Sequence, residues 1–280
     1  MTDPATLEKP LGEATFCAVD VETSGLWMSS RLVEVAAVRF DLGGTAYEFQ
    51  ALVNPCERIH PQATEIHGIT DDMVRSAPKA PDVLPGLLNF MRDCVFIAHN
   101  AGFDAGMIAG ELERMGERPP GNPVVCTVRL ARATIRGPES YRLESLVRHL
   151  GLDTGRLHNA LPDARAAREV FLAGTRALPE GTTVGELPGL MGHFGSVAPG
   201  PLGEIESTGG VDELAALARA RLDIEMDYYA ASGPARGPVV VTPINVFEGG
   251  SKLYMTAYCH RDGIQKTYRV DRIAGFRRIR

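Results

Sequence analysis

Short apolar runs alternate with helical stripes over residues 14–178, and this alternation restricts the fold more than any other feature of the chain. Strands are predicted at 14–21, 31–40, 46–53, 95–98 and 124–127, and helices at 83–94, 101–115, 143–150 and 164–173. The turn at Asp41–Gly44 predicts an antiparallel hairpin between the second and third strands. Asn100 and Gly116 are typical caps for the helix between them. Strands with helices between them predict an α/β fold, a mixed sheet flanked by helices.

The remainder of the chain divides by composition. Thirteen of the 32 residues 179–210 are Gly or Pro, which predicts a linker. After this linker, a helix is predicted at 212–225 and strands at 239–246, 252–260 and 265–270. A helix followed by short strands predicts a small β-barrel. The expected organisation is a tail at 1–13, a domain at 14–178, a linker at 179–210 and a second domain at 211–280.

Composition narrows the surroundings in which the protein is expected to work. The five cysteines are scattered and form no Cys-x-x-Cys pair, which favours a reducing cytosol over a disulfide framework or a zinc site. No apolar run approaches the ~20 residues that span a bilayer, so we expect a cytoplasmic protein without a membrane partner. The net charge is −6, yet the last twenty residues hold seven basic side chains against two aspartates. This basic end predicts an anionic partner.

A first pair of carboxylates stands at the end of the first predicted strand. Asp20 and Glu22 are two residues apart, so a strand directs both side chains to one face. Neighbouring carboxylates repel each other unless a cation lies between them. Asp223 and Glu225 have the same spacing, where a solvated surface explains it. The pair alone therefore predicts a cation site no more strongly than a solvated edge.

Two further carboxylates fall in the first turns of predicted helices. Asp104 ends the run His-Asn-Ala-Gly-Phe-Asp at 99–104, and Asp163 ends the run His-Asn-Ala-Leu-Pro-Asp at 158–163. The helix dipole favours a carboxylate at this place, which is a structural explanation for both. Phe103 fits a core position or a stacking platform equally well. His158 lies on the loop before its helix and fits a surface position or a catalytic one.

Taken together, the four carboxylates support a sharper hypothesis. The charges of Asp20, Glu22, Asp104 and Asp163 balance two divalent cations, and hard oxygen ligands favour Mg²⁺ or Mn²⁺ over zinc. Histidine has a pKa near neutrality, so His158 is suited to take a proton from water beside such a site. The residues therefore predict hydrolysis assisted by two metal ions.

The order and spacing of these motifs resemble the DEDDh exonucleases, the proofreading 3′–5′ exonucleases similar to the bacterial polymerase III epsilon subunit. The matching segments are Asp-x-Glu-Thr-x-Gly at 20–25, Ile-His-Gly-Ile-Thr-Asp-Asp-Met-Val at 66–74, His-Asn-Ala-x-Phe-Asp at 99–104 and His-x4-Asp at 158–163. The resemblance covers residues 14–178. It implies a ribonuclease H-like exonuclease fold and cleavage of the terminal phosphodiester, with release of nucleoside 5′-monophosphates.

The resemblance also implies roles for particular residues. Four carboxylates are expected to ligate the two metal ions: Asp20, Glu22, Asp104 and Asp163. His158 is expected to be the general base. One loop is expected to hold the terminal nucleotide through its backbone, with the last residue wedged against the base: Thr23, Ser24, Gly25 and Leu26. Three side chains are expected beside the substrate strand, of which the second alternatively only caps its helix: His99, Asn100 and Phe103.

The C-terminal region is similar to the WYL domain, a small Sm/SH3-like barrel of bacterial transcription regulators and nuclease-associated proteins. The similarity rests on Tyr228, Pro243, Leu253-Tyr254-Met255, Tyr258-Cys259 and residues 268–273. Leu253 and Met255 replace the tryptophan and the leucine of the name motif. The resemblance implies a nucleic-acid or nucleotide-like ligand, with Tyr254, Arg269 and Arg272 as candidate contacts. Ordinary packing of the tyrosines and solvation of the arginines is the alternative.

These observations predict a metal-dependent 3′–5′ exonuclease that acts on DNA, with single-stranded 3′ ends as the favoured substrate. A polymerase or a repair complex is the expected protein partner. The motifs do not distinguish DNA from RNA, since contacts to the 2′ position cannot be read from them, so an exoribonuclease that trims RNA 3′ ends stays open. A regulatory protein that uses the fold only to dock nucleic acid is a third hypothesis, against which the complete carboxylate set argues.

Overall fold

The chain divides into two units, Met1–Pro199 and Gly200–Arg280. The computed structural model describes residues 4–25, 30–155, 157–194, 209–228, 239–249, 252–270 and 273–279. Buried apolar side chains form separate clusters in the two units. Each unit therefore has its own hydrophobic core.

A six-stranded mixed sheet organises the first unit. Its strands are β1 (Phe16–Thr23), β2 (Leu32–Phe40), β3 (Ala46–Leu52), β4 (Val95–Ala98), β5 (Pro123–Cys126) and β6 (Leu190–His193). The order across the sheet is β3-β2-β1-β4-β5-β6. Strands β1, β4 and β5 are parallel to one another, whereas β2, β3 and β6 are antiparallel to the strands beside them. The predicted hairpin is confirmed, because β2 and β3 pair from Glu34 and Leu52 to Phe40 and Ala46.

Helices cover both faces of this sheet. They are α1 (Pro4–Glu8), α2 (Pro61–His67), α3 (Asp71–Val74), α4 (Ala80–Phe90), α5 (Gly102–Arg114), α6 (Thr127–Thr134), α7 (Leu143–Leu150) and α8 (Ala160–Thr175). α4 and α5 share one core with Val19 and Val21 of β1. α6 and α8 share the opposite core with Phe16 and Ala18. Because side chains alternate along a strand, the even-numbered residues of β1 face α8.

Residues 179–194 belong to the first unit, so the prediction of a linker there is wrong. β6 pairs with β5, and Val184 and Phe194 are buried in the cores on the two faces of the sheet. The glycines make tight turns: Gly189 has φ +104, and a Cβ on it would lie 2.6 Å from the Cys126 carbonyl oxygen. Glycine and proline content therefore reflects a tightly folded sheet edge here. The rest of the predicted linker, from 195 to 208, lies outside the described residues.

The N-terminal segment predicted as a tail also packs on the first unit. Pro10 forms an isolated antiparallel bridge with Thr183. The Leu11 N–H donates to the Thr182 carbonyl oxygen at 3.0 Å, and the Leu11 side chain is buried in the core under α8. The described part of the N-terminal segment is thus held by contacts with residues 182 and 183, which belong to the segment 179–194.

Several helix assignments differ from the sequence-based ones. α1, α2 and α3 were not predicted, and α4 and α8 begin before the predicted positions 83 and 164. α6 was not predicted, because its short apolar stripe is interrupted by arginines. Asn100 does not cap α5: the N-cap position is Ala101, Asn100 has φ +70, and its carbonyl oxygen accepts the Phe103 N–H at 2.9 Å. Gly116, with φ +74, follows the last helical turn, so the predicted stop of α5 is in the right place.

One helix and a five-stranded antiparallel sheet form the second unit. Its elements are α9 (Gly209–Ala220), β7 (Ile224–Tyr228), β8 (Val239–Gly249), β9 (Lys252–Cys259), β10 (Ile264–Arg269) and β11 (Ile273–Arg278). The order across the sheet is β10-β9-β8-β7-β11. Leu214 and Leu217 of α9 share a buried core with Val241 and Met255. The helix predicted to reach residue 225 ends at Ala220, because Ile224 is buried in the first strand of the sheet.

The ladders of the second unit leave β10 and β11 at the two edges, so the described residues form an open sheet. The predicted closure into a barrel is not seen among them. Tyr228 links β7 to β10 at one corner: its ring packs edge-on against Tyr268 at 5.0 Å, and its hydroxyl accepts the Arg269 N–H at 3.3 Å. These contacts bring one end of β10 close to β7.

A protein that ends at residue 178 should be much less stable than one that ends at residue 199. The shorter protein loses Val184, Leu187 and Phe194, all buried, and the pairing partner of β5. Each fully buried side chain of this size contributes about 1.5–3 kcal/mol, and a native protein is stable by only about 5–15 kcal/mol. Urea unfolding followed by circular dichroism measures the difference. Equal midpoints would show that residues 179–194 do not support the sheet.

Candidate active site

Two carboxylates at the end of β1 face α8. Asp20 and Glu22 continue the alternation that Phe16 and Ala18 begin in the core beneath that helix. Both are partly exposed, while Val21 between them is buried on the opposite face. The strand therefore directs the two carboxylates to the same side, as their spacing predicts.

Asp163 completes a close group of three carboxylates. It lies in the first turn of α8, and a ligand oxygen from each of Asp20, Glu22 and Asp163 lies within 4.8 Å of the other two. Asp163 Oδ2 accepts the backbone N–H of His158 at 3.1 Å. Asp163 Oδ1 is buried and has no hydrogen-bond partner in the described part of the chain. A buried carboxylate oxygen without a partner is costly, and a cation would satisfy it.

Asp104 lies beside this group, in the first turn of α5. Its side chain is buried, and Oδ1 accepts the Val21 N–H at 3.2 Å, between the two carboxylates of β1. After burial, the charge of Asp104 is the largest cause that raises the pKa of Asp20. The four predicted carboxylates therefore interact at one place, with three of them in the close group.

The electrostatics of the cluster favour a divalent cation. Burial, followed by repulsion from the neighbouring carboxylates, raises the pKa of Asp20 well above its usual range and that of Glu22 to about 8. Burial likewise raises the pKa of Asp104 to about 8 and that of Asp163 to about 6. Near neutral pH, these carboxylates therefore retain protons unless a cation takes the place of the protons. Oxygen ligands of this kind fit Mg²⁺ or Mn²⁺.

Glu34 is a fifth carboxylate at the cluster, and the sequence reasoning missed it. It lies opposite Glu22 in the β1–β2 ladder and is buried. Its Oε2 accepts the Ala160 N–H at 3.1 Å, and its Oε1 accepts Gln50 Nε2 at 2.8 Å. Glu34 thus ties the first residue of α8 to the sheet. An acidic residue inside the otherwise apolar run 32–38 was the signal that could have found it.

His158 lies on the exposed rim of the cluster. It has φ +63, and its Nε2 lies 2.7 Å from Glu144 Oε1, both side chains being about half exposed. A carboxylate only accepts hydrogen bonds, so His158 Nε2 carries a hydrogen and donates it in a hydrogen bond to Glu144. Glu144, in the first turn of α7, was not predicted as a site residue.

His99 acts as a support in this structure. Its Nε2 donates to the Tyr141 carbonyl oxygen at 3.1 Å, and its Nδ1 lies 2.8 Å from Thr127 Oγ1. Burial lowers the pKa of His99 to about 4, so the ring is neutral. The other two residues predicted to lie beside the substrate strand differ in exposure. Asn100 is exposed, whereas Phe103 is partly buried against the core under α5.

The loop that follows β1 is held at its base. Ser24 and Arg31 exchange two hydrogen bonds: the Ser24 N–H donates to the Arg31 carbonyl oxygen at 2.8 Å, and the Arg31 N–H to Ser24 Oγ at 2.9 Å. The Arg31 guanidinium pairs with the buried Glu111 of α5 at 2.6 and 3.0 Å. Thr23 Oγ1 donates to the Gly25 carbonyl oxygen at 2.5 Å. Leu26, the predicted wedge, lies outside the described residues.

His67, from the Ile-His-Gly-Ile segment, fixes the same loop from α2. The Ile69 N–H donates to His67 Nδ1 at 3.0 Å, so Nε2 carries the proton and donates to the Thr23 carbonyl oxygen at 3.2 Å. Burial lowers the pKa of His67 and keeps the ring neutral. The segment therefore positions the backbone expected to hold the terminal nucleotide.

In the second unit, two of the three predicted contacts are neighbours. Tyr254 and Arg269 are directly opposite each other in the β9–β10 ladder, and both are partly exposed. The ring of Tyr254 stacks on Phe247 at 5.7 Å. Arg272, the third predicted contact, lies outside the described residues.

Comparison with known families decides the affiliation. A family model described as "Exonuclease" matches residues 17–171, a span that contains all four carboxylates and His158. The chain belongs to the DEDDh exonuclease family. A second model, the WYL domain, matches residues 211–278. The DEDDh exonuclease domain is thus followed by a C-terminal WYL domain.

Curated relatives match the exonuclease domain. A protein described as a bifunctional exonuclease/endonuclease from Mycobacterium tuberculosis (strain CDC 1551 / Oshkosh) is 39% identical over 59% of this chain, which spans 27% of that relative. The PolC-type DNA polymerase III of Oceanobacillus iheyensis is 36% identical over 57% of this chain, which spans 11% of that relative. The DNA polymerase III subunit epsilon of Treponema pallidum is 35% identical over 56% of this chain, which spans 74% of that relative.

Solved structures share the fold of this DEDDh protein. The zinc-ion-bound form of the E. coli ExoI–ssDNA complex is 18% identical, with a TM-score of 0.55 over 87% of this chain and 54% of that one. The nuclease domain of 3′hExo, a DEDDh family member bound to rAMP, is 17% identical, with a TM-score of 0.52 over 58% of this chain and 92% of that one. At these identities the likeness concerns the fold alone. Within the described residues, no helix has the length and apolar character needed to cross a membrane.

The metal-free protein should lose stability as the pH rises from about 5 to about 8. The folded protein holds protons on Glu22 and Asp104 up to about pH 8 and on Asp163 up to about pH 6, whereas the unfolded chain releases them near pH 4. Thermal unfolding in EDTA should therefore show a melting temperature that falls across this range, and Mn²⁺ should raise it more at pH 8 than at pH 5.

An Asp104→Asn variant is the control for this experiment, because it removes one titrating group and should flatten the profile. A melting temperature of the wild type that stays constant or rises between pH 5 and pH 8, together with no effect of Mn²⁺, would contradict the electrostatic description of the cluster.

Proposed function

We propose that this protein is a metal-dependent 3′–5′ exonuclease that removes nucleotides from single-stranded DNA 3′ ends and releases nucleoside 5′-monophosphates. The observation that carries the proposal is the group formed by Asp20, Glu22 and Asp163, with Asp104 beside it and His158 on its rim. A regulatory role through docking alone would not require such a close group of carboxylates, since their repulsion reduces stability without cations.

Asp20, Glu22, Asp104 and Asp163 would hold two Mg²⁺ or Mn²⁺ ions. When bound, the ions supply Lewis-acid stabilisation of the negative charge that develops on the scissile phosphate and the leaving 3′-oxygen. The unpartnered Oδ1 of Asp163 and the raised pKa values of the cluster support this assignment. The chain itself contributes fixed ligand positions: Val21 N–H orients Asp104, and His158 N–H orients Asp163.

His158 is the residue proposed to take the proton of the attacking water. With Nε2–H donated to Glu144, the lone pair of Nδ1 is the one that can accept a proton. Glu144 then stabilises the imidazolium that forms, as a carboxylate does for a catalytic histidine in other hydrolases. The exposed position of His158 suggests that substrate completes its surroundings.

DNA is the proposed substrate on the strength of the polymerase relatives. The epsilon subunit of Treponema pallidum is 35% identical, and this chain spans 74% of its length. An exoribonuclease is the second candidate, since the nuclease domain of 3′hExo, which shares the fold, is bound to rAMP. The WYL domain is proposed to contact nucleic acid or a nucleotide-like ligand through Tyr254 and Arg269.

The experiment is digestion of 5′-labelled single-stranded DNA and RNA of equal sequence, with Mn²⁺ or Mg²⁺. We expect a ladder that shortens by one nucleotide from the 3′ end, faster on DNA, with 5′-monophosphates as products and no reaction in excess EDTA. Asp163→Asn should abolish the reaction, because it removes a ligand charge. Asp93→Asn is the matched control, since Asp93 is exposed and lies just before β4, at the opposite end of the sheet.

The His158→Ala variant separates the proposed role of His158 as general base from that of Asp163 as metal ligand. It should lower turnover by roughly 10²–10⁴-fold, the usual contribution of a general base, while the Mn²⁺ concentration for half-maximal rate changes little. Internal cleavage, activity in EDTA, or binding of both strands without any hydrolysis would contradict the proposed function. A wild-type rate for His158→Ala would remove it from the mechanism.

A further inference from the structure

A basic segment stands out in a unit that is otherwise acidic. Residues 127–149, which run from α6 through α7, hold five arginines against two glutamates, whereas residues 1–126 hold nine basic side chains against 18 acidic ones. We name residues 127–149 the α6–α7 segment. Its positive charge attracts a polyanion, whereas the negative charge of the carboxylate cluster repels one.

Two hydrogen bonds join the α6–α7 segment to the active site, one on each side of Arg142 in the sequence. The Tyr141 carbonyl oxygen accepts His99 Nε2 at 3.1 Å, at the end of β4. Glu144 Oε1 lies 2.7 Å from His158 Nε2. Arg142 lies between these two contacts, one residue from the first and two from the second. The Arg142 backbone is thus held between the contacts to His99 and His158. The Tyr141 hydroxyl donates to the Ile135 carbonyl oxygen at 3.1 Å, which holds the residue before Arg136 at the same place.

Four of the five arginines in this segment are exposed and contribute little that the fold needs. Arg136 and Arg142 are exposed, and neither guanidinium group has a hydrogen bond or an ion pair in the part of the chain that the structure describes. Arg132 lies over the Tyr141 ring at 5.8 Å, and Arg148 faces Glu139 at 3.8 Å with both side chains exposed. Exposed guanidinium groups beside a site for phosphodiesters are well suited to phosphate oxygens.

We propose that Arg136 and Arg142 bind phosphates of the substrate strand on the 5′ side of the bond that is cut. This inference rests on the proposed function and extends it to the path of the strand. Cations bound by the carboxylate cluster neutralise only the phosphate at the 3′ end of the substrate. The phosphates on its 5′ side therefore need positive charge from the protein chain. The α6–α7 segment provides that charge beside His158, and it assigns the strand to the side of the site formed by α7.

The test compares Arg136→Ala and Arg142→Ala with wild type on substrates of different length. A twelve-nucleotide single strand has phosphates on the 5′ side of the cut, whereas the p-nitrophenyl ester of thymidine 5′-monophosphate has none. Each variant should raise the KM for the long strand by roughly five- to tenfold, and the increase should be larger than for the ester. Arg142→Lys should recover part of the loss, because the charge remains.

Binding of the same strand in EDTA, followed by fluorescence anisotropy, gives an independent readout. Each alanine variant should reduce the slope of log affinity against log salt by about 0.7, the value for one phosphate contact on a single strand. Arg92→Ala is the matched control: Arg92 is exposed and precedes β4, at the end of the sheet away from Asp20 and Glu22. It should leave both KM and slope at the wild-type values.

The outcomes separate this inference from the proposed function. Failure of the wild type to hydrolyse either substrate would overturn the proposed function. Normal hydrolysis by the wild type, with Arg136→Ala and Arg142→Ala equal to Arg92→Ala in KM and in salt slope, would overturn the inference alone. That result would leave the α6–α7 segment as a surface for an acidic protein.

Discussion

Repulsion among closely spaced, partly or fully buried carboxylates at one end of β1 is the constraint on which the first unit depends. In addition to burial, the charges of Asp104 and Asp163 raise the pKa values of Asp20 and Glu22, and the charge of Asp163 raises that of Asp104. Such a group is tolerated only if protons or cations neutralise it and if the backbone holds it in place. The same feature that weakens the metal-free fold thus favours the binding of divalent cations, as the proposed function requires.

Several contacts fix the carboxylates of the proposed metal site. Val21 N–H holds Asp104 from the strand, and His158 N–H holds Asp163 from the loop. Glu34 accepts the Ala160 N–H, so the helix that carries Asp163 is anchored to the strand opposite Glu22. Ligands held by elements of a rigid scaffold need little rearrangement when the ions arrive. Glu144 extends this arrangement to His158.

Residues whose roles follow from local spacing could be predicted from the sequence. Asp20 and Glu22 share a face because strand side chains alternate, and Asp104 and Asp163 begin helices. Glu34 could not be found in this way, because its partner Ala160 is 126 residues distant in sequence. Residues 179–194 were assigned to a linker because their glycines and prolines fit a linker and a tightly turned sheet edge equally well. Burial of Val184 and Phe194 in the cores is a tertiary effect that composition does not encode.

Calorimetric titration of the purified protein with Mn²⁺ at pH 7.5 tests the central claim most directly. The account predicts two ions per chain, with protons released on binding because Glu22 and Asp104 have pKa values of about 8 before the ions arrive. It also predicts that Asp163→Asn loses at least one of the two ions, whereas Asp93→Asn retains both. Absence of binding by the wild type, or unchanged stoichiometry and affinity in Asp163→Asn, would contradict the assignment of the carboxylate cluster as the metal site.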